Sequence, residues 1–150
     1  MPSLDNPLKR LQDEIVDRLK GHDDLGAVDI YPETVGDLNS QLEISLGKLG
    51  IVLVVQTAAA GISNVTLSKP VFDSNTFTVE VWEDVTLNRS LAALDAAIAV
   101  VERLYQYRIR SVDSFKNKLI LPAVAPNTMR AAVDGENNGY YVNFTIGKAE

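Results

Sequence analysis

The one histidine of the chain, His22, stands in the run Gly21-His-Asp-Asp24, where an imidazole and two carboxylates together offer metal-ligand chemistry. A metal site needs three or four converging ligands, and the sequence has no second histidine and no cysteine. His22 therefore reads as a solvated side chain decorating a helix end. Adjacent carboxylates recur at Glu83-Asp84, the other place where paired acids could do general acid–base work. Neighbours in sequence do not face each other on a helix or strand, so both acidic pairs read as solvated. The lack of cysteine also removes disulfides, thiolate metal sites and a cysteine nucleophile. No glycine-rich phosphate loop ending in Lys-Ser/Thr is present, and no G-x-G-x-x-G turn. A G-x-S-x-G nucleophile elbow is missing too. The residues point away from an enzyme, and no metal or cofactor is expected.

Binding to nucleic acid draws most of its affinity from Lys and Arg on phosphates. Fourteen basic against twenty acidic residues give a net charge of −6, so only a local patch could serve. Arg103, Arg108, Arg110, Lys116 and Lys118 lie close in sequence, but Glu102 and Asp113 interrupt them. They read as a solvated helix end favoured by the helix dipole, not as a nucleic-acid site.

A chain of 150 residues fits one domain able to bury roughly 70% of its unfolded surface. A composition of 46% hydrophobic and 23% charged residues is that of a soluble globular chain, not a disordered one. The opening residues have no basic segment followed by an apolar run, so no signal peptide is expected. The apolar stretches Ile51–Val55 and Ala96–Val101 fall far short of the roughly 20 residues of a membrane helix. The sequons at Asn64, Asn88 and Asn143 are then chance matches in an intracellular protein.

Asp5 or Asn6 can cap a first helix, with Pro7 at its first position and Gly21 stopping it. Leu8, Leu11, Ile15 and Leu19 form its apolar stripe. Val28–Tyr31 is a short strand that Pro32 ends, and a short helix is predicted near residues 37–46. Ile51–Val55 is a strand covered on both faces, and Thr57–Gly61 reads as a small-residue loop or bend. Val65–Val71 and Thr76–Glu83 are predicted to pair across a tight connection at Phe72–Asn75. Phe77, Val79 and Val81 then share one face, and Thr78, Glu80 and Trp82 the other. Trp82 is either a partly covered side chain packed under a loop or an interface anchor, a role in which tryptophan is enriched.

Asn88 is the expected cap of the strongest helix, from Arg89 to about Arg108, with the apolar stripe Leu91, Leu94, Ile98, Val101 and Tyr105. Ala92, Ala93, Ala96, Ala97 and Ala99 wrap the remaining surface. A helix this poor in charge needs cover on its second side as well, from the first helix or from another subunit. Leu119–Leu121 is a strand broken by Pro122 and Pro126. Met129–Val133 and Tyr140–Ile146 form a hairpin across the Asp134–Gly139 loop. The order of elements gives an α+β domain, a mainly antiparallel or mixed sheet with two to three helices packed on it.

An opening helix at Leu8–Lys20 leads into Val28-Asp-Ile-Tyr-Pro32, then a helical stretch and the apolar strand Ile51–Val55. Phe77-Thr-Val-Glu-Val-Trp82, an alanine-rich helix and a closing hairpin follow. In this order the chain resembles the phage tail terminator and tail-completion proteins, especially the small family of Mu-like phages and prophages. One departure is Leu49-Gly50, where similar sequences often carry a proline before the apolar strand. The resemblance implies a subunit of a hexameric ring that caps the polymerised tail tube and offers a surface to the head-side connector protein. Its partners would be copies of itself, the tail tube protein and that connector, with assembly in the bacterial host cytoplasm and a final place in the virion tail. A ring needs a heterologous interface that closes on rotation. The alanine-rich helix, with Ala92 and Ala96, and the outward Trp82 are candidates for it. Glu80, Glu83 and Asp84 are candidates for an acidic bore that would let DNA slide. The alternatives are another head–tail connector or baseplate-type subunit, or a module binding a small ligand between sheet and helices.

Overall fold

Five consecutive apolar residues, Ile51–Val55, are all buried, and the rest of the molecule is arranged around them. The computed structural model describes residues 7–63, 71–88, 91–112, 118–123, 128–134 and 137–148. Among them are three helices, α1 (Pro7–Lys20), α2 (Leu38–Leu49) and α3 (Ala93–Leu104). Six strands join one mixed sheet: β1 (Asp29–Pro32), β2 (Ile51–Ser63), β3 (Val71–Glu83), β4 (Lys118–Pro122), β5 (Met129–Asp134) and β6 (Asn137–Lys148). The fold is α+β. The strand order is β1-β2-β3-β6, and beyond β6 the two short strands share its second edge, β4 along residues 144–148 and β5 along 137–142. Among the described strands only β1 and β2 are parallel, with α2 as the crossover that such a pair requires.

Strict alternation divides the sheet into two faces. Ile51, Leu53, Val55, Phe77, Val79, Val81, Val142, Phe144 and Ile146 form the core face, which α1 and α3 cover. Phe77 and Phe144 stack on it with ring centroids 5.1 Å apart. Val52 and Val54 are buried on the opposite face, where Leu42 and Leu46 of α2 border the same groove as Val52. The expected two-sided burial of Ile51–Val55 holds because helices lie on both faces there. Further along, the opposite face carries Gln56, Thr78, Glu80, Trp82, Tyr141 and Asn143, all half-buried.

α1 buries Leu11, Ile15 and Leu19 as its spacing predicts, and also Gln12 and Val16. Its expected caps, Asp5 and Asn6, lie outside the described residues. The Gln12 amide donates to Glu33 Oε1 (2.5 Å) and Thr57 Oγ1 (2.8 Å), which ties the helix to the sheet. α2 runs three residues beyond its predicted end, past Gly47, and stops at Gly50 in a left-handed conformation with φ 77°. A side chain at Gly50 would strike the Leu87–Asn88 backbone packed against it.

Two strand predictions are corrected. Thr57–Gly61 is no loop but part of β2, and Phe72–Asn75 is no turn but part of β3. β2 pairs β3 from Ile51↔Glu83 to Ser63↔Val71, so β2, not a strand at 65–71, is the partner of Thr76–Glu83. Residues 64–70 lie outside the described residues. The small side chains that suggested a loop coincide with register shifts at Thr57/Ala59 and Gly61/Ile62, irregularities of the bulge type that bend a strand without ending it.

The third helix is shorter than its alanine run suggests. It starts at Ala93, with Ala92 as an N-cap lacking a side-chain bond, and ends at Leu104. Asn88, the expected cap, donates instead to the Leu91 carbonyl (2.5 Å) and to Glu83. Past Leu104, Gln106 adopts φ 60° and its N–H donates to the Ile120 carbonyl (2.8 Å). The chain thereby turns away to cover the outer edge of β4, with a bridge at Arg108↔Leu119.

Candidate assembly surface

The inward side of α3 is the reverse of the one its large apolar residues predict. Ala93, Ala96, Ala97, Val100 and Leu104 are buried against the sheet, whereas Leu94, Ile98 and Tyr105 stay 46%, 45% and 53% exposed. Volume is the physical reason. The stacked Phe77 and Phe144, with Val79, Val81 and Val142, already fill the space between the layers. A helix bearing small residues fits against them, and one bearing leucine and isoleucine would overpack. Leu91 and Val101 pack at the margin. The result is a row of large apolar side chains at i, i+4 and i+11 on the outside of the molecule.

This row joins a groove of about 370 Å³ lined by Val85, Ala92, Leu94, Ala131, Val133 and Tyr140 among others. Val133, near the end of β5, is 74% exposed. Val85 and Leu87, in the turn after β3, are exposed as well. Val133, Val85 and Leu87 did not stand out in the sequence. Only Val133 carries a signal, the alternation of Met129, Ala131 and Val133. On the far side of the sheet Ile44 of α2 is a separate exposed apolar residue.

The residues singled out from sequence fall in different places. Ala92 lines the groove, but Ala96 is fully buried in the chain's own core and is unavailable to another subunit. Glu80, Glu83 and Asp84 do not gather into one acidic surface. Glu80 lies on the face opposite α3, where Gln56 and the Trp82 indole N–H (3.3 Å) donate to it. Burial raises its pKa above the ordinary range, the Trp82 hydrogen bond offsets this in part, and Glu33 adds to it. Glu83 points to the other face and accepts from the Ala93 amide (3.2 Å), so it caps α3 from the neighbouring strand. Asp84 closes its own turn through the Thr86 amide (3.0 Å) and hydroxyl (2.7 Å), bonds that lower its pKa. Trp82 is half-buried, edge-on to Tyr141 at 5.8 Å, and borders the groove under α2 with Leu42 and Leu46.

His22 and, among the basic residues, Arg103 have structural partners too. His22 Nδ1 accepts from the Asp24 amide (3.0 Å), closing the turn after α1. Among the described residues no group of three or more His, Asp or Glu side chains could hold a metal ion. Arg103 is not merely solvated. Its guanidinium donates to the Arg18 carbonyl (2.7 Å) while Arg18 donates to the Arg103 carbonyl (3.1 Å), so the two helix ends are joined. Lys116 lies outside the described residues.

A groove of about 610 Å³ is lined by Arg10, Asp13, Glu14, Asp17, Arg18, Tyr107, Arg110 and Ser111. Its centre is Glu14, which accepts from the Tyr107 hydroxyl (2.7 Å), the Arg110 amide (3.0 Å), and the Ser111 amide (2.8 Å) and hydroxyl. Burial pushes the Glu14 pKa up, but these hydrogen bonds together outweigh it and the net shift is downward. The carboxylate is thus fully occupied in holding residues 107–111, and the groove walls carry charges of both signs. No protein-family model matches the chain, and a search of curated proteins finds no match either.

Proposed function

We propose that this chain is a structural subunit that assembles with copies of itself, and that its assembly is the ring of a phage tail terminator. In that role it would cap the tail tube, end tube polymerisation and present a joining surface to the head-side connector. The observation that carries the reading is the outward row Leu94, Ile98 and Tyr105, continuous with Val85 and Val133. Large apolar side chains grouped this way on a surface mark a contact with another macromolecule. The tail assignment draws on the resemblance in element order, from Leu8 to Ile146. Of the groups that could do chemistry, His22, Glu14 and the Glu83-Asp84 pair are engaged in holding turns, loops or a helix end, and Glu80 accepts from Gln56 and Trp82 on the sheet face.

Light scattering across a concentration series, followed by negative-stain imaging, tests this reading. The expected result is a closed ring of about six subunits, alone or on purified tail tubes. The double variant Leu94→Asp/Ile98→Asp should keep its fold and lose at least about 30-fold in association, the effect of removing about 2 kcal/mol at a buried contact. A wild-type chain that stays monomeric and binds no tube would sink the reading. Binding to a baseplate component in place of the tube end would move it to the alternative structural class.

A further inference from the structure

Among the described residues, β2 and β3 run on beyond their pairing with β1 and β6. β1 pairs β2 only as far as Pro32↔Val55, and β6 pairs β3 only as far as Thr76↔Thr145. Beyond those points residues 57–63 and 71–75 run on as a two-stranded ribbon, paired to Ser63↔Val71. The register shifts at Thr57/Ala59 and Gly61/Ile62 fall within this ribbon, where bulges increase twist and turn strands away from their sheet. A two-stranded ribbon with no third strand is at best marginally stable in water. Exposed strand edges are normally guarded by lysine, proline or other charged residues. Ala58-Ala-Ala-Gly-Ile-Ser63 contains none of these, and Val71–Asn75 has only Asp73.

The same chain carries an edge of matching length. β4 has its outer edge closed by residues 106–109, through Gln106 N to Ile120 O (2.8 Å), Ile120 N to Tyr107 O (3.0 Å) and Ile109 N to Lys118 O (3.0 Å). β5 pairs with β6 on one side, and among the described residues no strand lies on its other side. Its six residues, Met129–Asp134, include neither proline nor lysine; its two charges are Arg130, whose guanidinium lies over the Tyr141 ring at 5.3 Å, and the terminal Asp134, and its Val133 is the most exposed large apolar residue described. The ribbon cannot fold back onto it. β5 lies along the half of β6 that faces Val79–Glu83, whereas the ribbon leaves the sheet beyond Thr76, at the opposite end.

We propose that the Ala58–Ser63 edge of one copy adds as a strand to the β5 edge of the next copy. Strand addition supplies backbone hydrogen bonds to both edges at once, and it covers Val133 beside the groove that Leu94 borders. Donor and acceptor at opposite ends of one chain make a head-to-tail contact, which gives a ring if its rotation closes and a filament if it does not. This inference rests on the self-assembly reading, and it names the surfaces that would meet.

The absence of cysteine permits a clean test. Ala60→Cys is placed in one population, and Ala131→Cys, Ala132→Cys or Val133→Cys in turn in a second population carrying a short tag. After mixing and mild oxidation, the expected product is a cross-link between the two populations, severalfold in excess over links within either. A companion variant replaces residues 58–76 with Asn-Gly between the paired Thr57 and Phe77, and it should unfold cooperatively yet associate at least about tenfold more weakly. If wild type assembles while position 60 links only to itself or to nothing, the strand addition is overturned and self-assembly stands. A chain that neither assembles nor cross-links at any concentration overturns both. A mixed cross-link in open filaments upholds strand addition and overturns the closed ring.

Discussion

Ser45 has one hydroxyl proton, and the Asp29 carboxylate accepts it at 2.7 Å. The Tyr31 hydroxyl, 2.9 Å from the same oxygen, must therefore be the donor in its contact with Ser45. This relay fastens α2 to β1 at Ser45, the one fully buried residue of that helix. Ser45→Ala leaves both partners short of a hydrogen bond and should cost about 1–3 kcal/mol, read as a drop in thermal midpoint. Ser45→Cys, which fills the space without restoring a strong acceptor, should recover little of it. Two glutamates make opposite pH predictions. Glu14 has a folded pKa below its unfolded one, so its stabilisation is present at neutral pH and lost as pH falls through the folded value. Glu14→Gln should cost about 1 kcal/mol at pH 7, since the group is partly solvated, and the gap to wild type should close below about pH 4. Glu80 has its pKa raised, first by burial, so the ionised form is disfavoured in the folded state at neutral pH and the penalty fades as the group takes up a proton. Glu80→Gln should hold or raise stability at pH 7 and lose that advantage below about pH 4; urea titrations at both pH values check the pair. Such roles were hidden in the sequence. Ser45 looks like any helix-surface serine, and Glu14 like one more charge on a mixed polar face, because the partners lie 16 and more than 90 residues away.

At the scale of elements, alternation carried most of the information. Phe77-Thr-Val-Glu-Val-Trp82 and Tyr140–Ile146 show their two faces residue by residue, and the structure keeps both assignments. The long ribbon was missed because Ala58–Gly61 lacks the branched and aromatic side chains that signal a strand. Its pairing is decided by the partner strand, not by local preference. The orientation of α3 was missed for a different reason. Leu94, Ile98, Val101 and Tyr105 fit a helical stripe, and so do Ala93, Ala96, Ala97, Val100 and Leu104. Choosing between them requires knowing that Phe77 and Phe144 meet on the facing layer. The two stripes can be told apart by substitution. Ala96→Leu should destabilise by about 1–3 kcal/mol through overpacking, a fall of roughly 2–10 °C in thermal midpoint for a chain of this length. Leu94→Ala, measured at a concentration where the wild-type chain is monomeric, should change stability by no more than about 0.5 kcal/mol. Equal effects at the two positions would refute this orientation of α3.

The whole molecule sets an apolar contact surface on a body of net charge −6. These two properties oppose each other in self-association. Subunits of like charge repel at the distances where they first meet, and salt screens that repulsion within a Debye length of about 10 Å at 0.1 M. A contact built on Leu94, Ile98 and Val133, with an uncharged strand at Ala58–Ser63, contains no ion pair for salt to weaken. Association should therefore strengthen with ionic strength, with the concentration for half-assembly falling roughly severalfold between 0.05 and 0.5 M salt. It should also strengthen as pH is lowered from 7 toward the sequence pI of about 4.8, before Glu14 begins to release residues 107–111. Sedimentation velocity over a salt series distinguishes this from the alternative. If added salt dissociates the assembly, the subunits are held by charge pairs, and the exposed apolar row on α3 is not the surface that joins them.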